Sequence, residues 1–297
     1  MKDVLATCKP RPEILAGTFN PAIFTARLSQ VLDDYRVGKA VEGADSLYSD
    51  PVSFFRDATH PTQGLCSIVD NAMARLVEGD KSRPAMQRLD TAFGGGKTHT
   101  LIALTHVAKQ GTRLDSVTQS ILPANRLPVP DAIQVVGIIG DTVDTLRETA
   151  GGAEPKPNTL WWLIAQQTLQ EDERQPISSR LDSSASSAST EFFDALFAGK
   201  KTVLIIDEIA QYLSRMEAAF PGQGAEQAAA FMMAVSTYAE SNDNLSIVIS
   251  LASATNAFGD FNKMMKNLMS THGMTEQQAE ATSETAHRVV LDVVSRT

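Results

Sequence analysis

The sequence predicts an α/β fold: a mainly parallel sheet flanked by helices, with an N-terminal helical extension. Three observations carry this. Strand and helix patterns alternate across the middle of the chain, as parallel βαβ units require. Apolar runs of the kind buried on both faces of a parallel sheet recur at Ile133 to Ile139, Val203 to Ile206 and Leu245 to Ile249. Between the N-terminal helical patterns and these runs, a glycine turn opens a helix.

Taken in order, N-P-A-I-F-T-A-R-L-S-Q-V-L-D-D-Y reads as a helix with Asn20 as N-cap and Pro21 at N1. A second helix begins after Pro61, where Thr62-Gln63-Gly64 leads into L-C-S-I-V-D-N-A-M-A-R-L-V. Both are read as packing helices that brace the α/β core. Met86 to Asp90 is a poor strand by composition, yet its place before the glycine loop makes it the natural first strand. From Thr98 to Gln110, Leu101, Leu104, Thr105 and Ala108 recur at helical spacing, and Gly111 is the expected C′ residue. Asn158 is the expected N-cap of a helix containing Trp161 and Trp162, whose rings are read as packing groups. The Ser-rich stretch within Glu171 to Thr190 is expected to be a mobile surface insertion, and F-P-G-Q-G-A-E-Q from Phe220 to Gln227 a second soft segment.

At 297 residues, 43% of them hydrophobic, the chain has room for one large α/β domain or two small ones and can bury a substantial core. Net charge is −9, with no concentrated Lys/Arg run, so a large DNA-binding face on this segment is not supported. Cys8 and Cys66 stand too far apart for a local disulfide framework or metal knuckle, and read as free thiols of a reducing compartment. With neither a signal-peptide pattern nor an apolar run long enough to span a bilayer, the chain is expected to be cytoplasmic. The five histidines are scattered, and no Ser-His-Asp or Cys-His arrangement can be argued.

The chemistry lies in the turn. Thr91 to Thr100 reads T-A-F-G-G-G-K-T-H-T. Successive glycines let backbone N–H groups approach an anion, lysine reaches the β/γ-phosphates, threonine takes Mg²⁺, and the helix offers its positive end. The full phosphate-loop pattern also wants a glycine where Thr91 stands. The acidic partner is T-V-L-I-I-D-E-I at Thr202 to Ile209, a Walker B pattern. A buried strand delivers Asp207 to the sheet's carboxyl edge, where it can hold Mg²⁺ through water, and Glu208 stands where a carboxylate orients or deprotonates attacking water. That glutamate favours ATP hydrolysis by water over phosphotransfer to a small molecule. A polar residue ending the strand beside Walker B would sense the γ-phosphate: Ser253 or Asn256, or Ser250 if the strand is shorter. Arg288 and Arg296 are the candidates by position for a transition-state arginine.

With these residues in place, the chain resembles domain of unknown function (DUF) family 499. The segments P-R-P-E-I-L-A-G, F-F-R-D-A-T-H-P-T-Q-G-L, R-L-D-T-A-F-G-G-G-K-T-H-T-L-I-A-L-T-H, N-T-L-W-W and V-L-I-I-D-E-I occur in that family's order, and F-G-G-G-K-T-H is the most specific of them. That family comprises bacterial ATP-binding proteins similar to AAA+ ATPases, encoded near DNA methylases and helicases in phage-defence islands. It also dispenses with the first loop glycine, which accounts for Thr91.

The resemblance implies a P-loop NTPase fold of the AAA+/additional-strand type, residues 1–80 forming the helical extension and 81–297 the ATPase core. It implies an N-terminal fragment, the last core strand and helical lid lying beyond Thr297. ATP and Mg²⁺ are the implied cofactors. The cofactor-binding string is Phe93, Gly94, Gly95, Gly96, Lys97, Thr98 and His99, with His99 expected to pack on or cap the helix start. Lys97 and Glu208 are the catalytic candidates, Thr98 and Asp207 the metal candidates. The expected function is a Mg-dependent ATP-hydrolysing module of a larger, DNA-directed anti-phage assembly. It would act as a homo-oligomer or in a multi-protein complex, with DNA reached through other segments or subunits. The alternative is a nucleotide-gated scaffold with little turnover.

Overall fold

The computed structural model describes residues 15–16, 26–39, 47–89, 96–149, 154–183, 189–197, 199–251 and 276–277. Its centre is a five-stranded parallel sheet built from β1 (Met86–Leu89), β2 (Ile133–Ile139), β5 (Lys201–Asp207), β6 (Leu245–Ser250) and β7 (Glu276–Gln277), in the order β2-β5-β6-β1-β7. A two-residue antiparallel ribbon, β3 (Leu146–Arg147) and β4 (Lys156–Pro157), follows β2. The fold is thus α/β with a mainly parallel sheet flanked by helices, consistent with a Rossmann- or P-loop-like architecture. The outer edge of β1, which the resemblance left to a strand beyond Thr297, carries β7.

Strand periodicity divides the core in two, because successive side chains leave a strand on opposite faces. Val203, Ile205 and Val248 point into one hydrophobic cluster; Leu204, Ile206, Ile247 and Ile249 point into the other. The first cluster is covered by α1 (Leu28–Arg36), a helical turn over residues 51–58, α2 (Gln63–Met73) and α3 (Lys97–Gln110). The second is covered by α4 (Leu160–Thr168), α5 (Thr190–Phe197), α6 (Ile209–Ala219) and α7 (Gly224–Ser241). Leu28, Phe54, Ile68 and Leu104 share one core, so the N-terminal helices are a wall of the same layer as α3.

Local chemistry sets the element ends. Asp50 caps the 51–58 turn, its Oδ1 accepting from the Val52 and Ser53 N–H groups at 3.0 Å each, with Pro51 at N1. Thr62 caps α2 by accepting from Leu65 N–H at 3.3 Å. Gly111 ends α3 at φ +50°, where a Cβ would stand 1.9 Å from the Pro128 carbonyl oxygen. β1 is polar in sequence because Gln87 works inside: its Nε2 donates to Ile68 O at 3.2 Å and its Oε1 accepts from Asn71 Nδ2 at 3.1 Å.

Arg75, 1% exposed, fixes the base of the sheet. Its guanidinium donates to the carbonyls of Leu245 (3.0 Å), Arg83 (2.9 Å), Asn242 (2.6 Å) and Ala239. The turn after α2 is thereby tied to the chain between α7 and β6.

Five expectations need correction. Arg27 is extended, at φ −127°, so α1 starts at Leu28 rather than continuing from Pro21; Asn20 and Pro21 lie outside the described residues. β2 is an edge strand rather than one buried on both faces, with Gln134, Val135, Gly137 and Ile139 only half-buried. Its outer backbone is covered at one point by Gln167, which bonds both the N–H and the C=O of Gly137 at 3.0 Å, the kind of edge protection a sheet needs. The N-cap of α4 is Thr159, which accepts from Trp162 N–H at 3.3 Å. Asn158 instead donates to Asp144 O and Leu146 O, bracing the ribbon.

The stretch from Glu171 to Asp182 is structured: three short helical turns bury Leu181, and Asp182 pairs with Arg147 at 2.9 Å and Lys156 at 2.6 Å. Residues 184–188 lie outside the described set. In the fifth case the soft segment at Phe220 to Gln227 shortens to a turn, because α7 already begins at Gly224, which sits against the Met216 carbonyl.

Candidate functional site

The carboxyl ends of β1, β5 and β6 lie side by side in the sheet. From β1 the chain passes through residues 90–95, outside the described set, and re-emerges at Gly96. Gly96 is left-handed, φ +72° and ψ 17°, and leads into α3 without a side-chain cap. Lys97 opens the helix and is buried; Thr98 follows, half-buried. Of the cofactor string, Gly96, Lys97, Thr98 and His99 are described, while Phe93, Gly94 and Gly95 are not.

Asp207 closes β5, 5% exposed. Burial pushes its carboxyl up to about 6; the Ser250 hydroxyl opposes this, Glu208 and Asp141 add to it, and the Lys97 ammonium pulls it back. That last influence puts the lysine of α3 and the aspartate of β5 within electrostatic reach of each other across the intervening β6.

Ser250 ends β6 and joins the parts. Its Oγ donates to Asp207 Oδ1 and accepts from the Glu208 N–H at 3.0 Å. Of the three residues considered for the end of this strand, Ser250 is the one the sheet brings against Asp207; Ser253 and Asn256 lie outside the described residues, as do Arg288 and Arg296. Ser250 suffices because β6 stops there.

Glu208 follows at φ +53°, ψ 44°, the left-handed region a non-glycine residue adopts only when its surroundings hold it. Three groups hold it. Ser250 takes its N–H, Gln211 N–H donates to its carbonyl at 2.9 Å, and Gln211 Nε2 donates to its Oε2 at 3.0 Å. Its carbonyl also lies over Gly140, where a Cβ would come within 2.3 Å of that oxygen, so only glycine fits. Gly140 N–H in turn bonds Asp207 O at 2.8 Å.

Sequence reasoning did not single out Gly140, Asp141 or Gln211. Two signals were available: the apolar run of β2 ends in Gly-Asp at the same sheet edge as Asp207, and Gln211 stands three residues after Glu208 on one helix face.

His99 faces the other way. Its ring lies 4.6 Å from that of Phe54 at an interplanar angle of 30°, meets Tyr48 edge-on at 5.9 Å, and places Nε2 3.1 Å from Thr59 Oγ1. Burial lowers its pKa to about 4. It packs as expected of a residue that does no chemistry, and the partners it packs on belong to the N-terminal helices.

Among the described residues, no three His, Cys, Asp or Glu side chains converge as a metal cage, and no helix is long and apolar enough to cross a membrane. The oxygens of Thr98 and Asp207 are hard donors of the type Mg²⁺ prefers, and Asp207 sits where neighbouring carboxylates favour a cation.

The family model of the DUF499 N-terminal domain matches residues 28–272, which take in both helical layers, the glycine-lysine turn and the Asp207–Glu208 edge. The chain belongs to the DUF499 family. No curated protein and no solved structure matches it. In this DUF499 domain the matched span begins at Leu28, the first residue of α1, so the N-terminal helices belong to the family unit together with the sheet.

Proposed function

We propose that this DUF499 domain binds ATP with Mg²⁺ and hydrolyses it as one module of a larger assembly. The observation that carries the reading is the shared sheet edge: the lysine opening α3, the Asp207–Glu208 pair ending β5, and Ser250 between them on β6. A strand interposed between the one leading to the lysine and the one delivering the aspartate is the arrangement expected of additional-strand P-loop ATPases.

In this reading the backbone of Phe93 to Gly96 cradles phosphate, Lys97 neutralises its β/γ oxygens, and His99 supports the helix start. Thr98 and Asp207 would hold Mg²⁺, whose remaining ligands would be phosphate and water oxygens, and which would supply charge neutralisation on the phosphates. Glu208 orients the attacking water, and Ser250 fixes both Asp207 and the Glu208 backbone. Residues 1–80 brace the ATPase core at 81–297, with the lid supplied beyond it. The assembly is a homo-oligomer or multi-protein complex engaged in DNA-directed phage defence, reaching DNA through other segments or subunits.

Steady-state and single-turnover ATPase assays of Lys97→Ala and Glu208→Gln test it. The first is expected to lose binding and the second turnover; wild-type turnover in both would sink the assignment.

One observation favours a second reading, a nucleotide-gated scaffold with little turnover: Oε2 of Glu208 is engaged by Gln211. Light scattering with ATP against ADP separates the two. A scaffold changes size on ATP binding even when no phosphate is released.

A further inference from the structure

Nothing in its own cap holds the first turn of α3. The first N–H groups of any helix lack intrahelical partners, and Gly96 brings no side chain to them. Yet the turn carries Lys97 and Thr98, whose positions must be set closely if they are to meet phosphate and metal. The side chain of that turn that is locked on every side is His99. Thr59 Oγ1 donates its single proton to Phe54 O at 2.8 Å, so it must accept from His99, which fixes the neutral Nε2–H tautomer. Phe54 and Tyr48 clamp the ring plane.

Two turns along the same helix face, His106 forms a second anchor. Its Nε2 meets the Tyr48 carbonyl at 2.8 Å, so it too is an Nε2–H ring, and its Nδ1 accepts from Tyr35 Oη at 2.6 Å. The helix is therefore pinned twice to the N-terminal layer, and of these two pins His99 is the one at the phosphate end.

We propose that His99 is a positioning residue: its bond to Thr59 sets the first turn of α3 so that Lys97 and Thr98 face the nucleotide, which makes the N-terminal helical layer a working part of the site. This rests on the ATP reading above. By linkage, nucleotide binding must then tighten the segment that holds His99.

The test uses the full chain with Mg²⁺ and adenylyl imidodiphosphate, well below the melting temperature. Thr59→Val keeps the shape and removes the acceptor. One neutral hydrogen bond corresponds to a loss of affinity of about three- to tenfold. Thr59→Ser is expected to restore it. Tyr35→Phe releases only the His106 pin, and is expected to lower the melting temperature while leaving affinity unchanged. Hydrogen exchange supplies a second readout: the nucleotide should protect amides of residues 47–59 in the wild type and not in Thr59→Val. Wild-type affinity in Thr59→Val, or an equal loss in Tyr35→Phe, overturns the inference while leaving the ATP reading intact. A wild-type chain that binds no better than Lys97→Ala removes both.

Discussion

Ser250 and Ser246 stand four residues apart on β6, both fully buried, and the same substitution should move stability in opposite directions. Ser250 Oγ serves two polar groups, the Asp207 carboxyl and the Glu208 N–H. Its removal orphans a buried N–H, at about 1–3 kcal/mol, and strips the one hydroxyl that offsets the burial of Asp207. Ser246 Oγ has no hydrogen-bond partner among the described residues. Deleting a buried hydroxyl that bonds to nothing relieves its desolvation, so Ser246→Ala is expected to be neutral or to stabilise by up to about 1 kcal/mol. Urea denaturation of the two variants measures the difference, about 1–4 kcal/mol between them, with m unchanged. Turnover separates them further. Ser250→Ala is expected to lose about 10–100-fold, as when a residue that orients a metal ligand is removed, and Ser246→Ala nothing. Equal destabilisation by both would refute the reasoning, since burial alone would then decide the effect.

Arg75→Met should cost about 3–5 kcal/mol in urea denaturation, because it strands carbonyls that now share one buried guanidinium; a loss under about 1 kcal/mol would contradict that role. Acid should destabilise the fold through His106, whose pKa burial lowers from 6.5 to about 4, the Tyr48 carbonyl and Asp50 opposing and His99 adding to the effect. The unfolded chain binds the extra proton, so this contribution, about 3 kcal/mol, is complete above pH 6.5 and lost as pH falls toward 4. His106→Phe should flatten the stability profile between pH 7 and 5, and an unchanged slope would exclude His106 as its source.

How much the sequence disclosed depends on which forces are local. Val203 to Ile206 is apolar at every position because β5 is central, and a run of that kind has few other uses. Ile133 to Ile139 looks the same in sequence but forms an edge, because a helix residue far along the chain, Gln167, covers its outer backbone. Met-Gln-Arg-Leu looked poor as a strand because the partners of Gln87, Ile68 and Asn71, come from α2. The Lys97, Asp207 and Glu208 positions were legible from their motifs, since phosphate chemistry demands those side chains in that order. The left-handed turn at Glu208 was not: no local signal marks a glutamate there, and Gly140, the residue that makes room for it, is remote in sequence. The N-terminal helices likewise announced themselves by periodicity, which says that a face is buried but not against what.

The Glu208–Gln211 bond decides between the two readings of this site. Gln211 Nε2 donates to Oε2 alone, which leaves Oε1 and the remaining lone pairs of the carboxylate to accept from a water. Glutamate at φ +53° begins α6, and a side chain at i+3 on that helix is the one neighbour that can steer its carboxylate without touching nucleotide. Gln211 is therefore expected to orient Glu208 for hydrolysis. Gln211→Ala should lower turnover several-fold, about the effect of one hydrogen bond to a charged group, and leave nucleotide affinity at the wild-type value. Gln211→Glu sets a like charge beside Glu208 and should lose more turnover than the alanine variant. Faster turnover in Gln211→Ala would mean the opposite arrangement, in which the bond holds Glu208 away from water and ATP binding, rather than its hydrolysis, is what the resting domain is built to do.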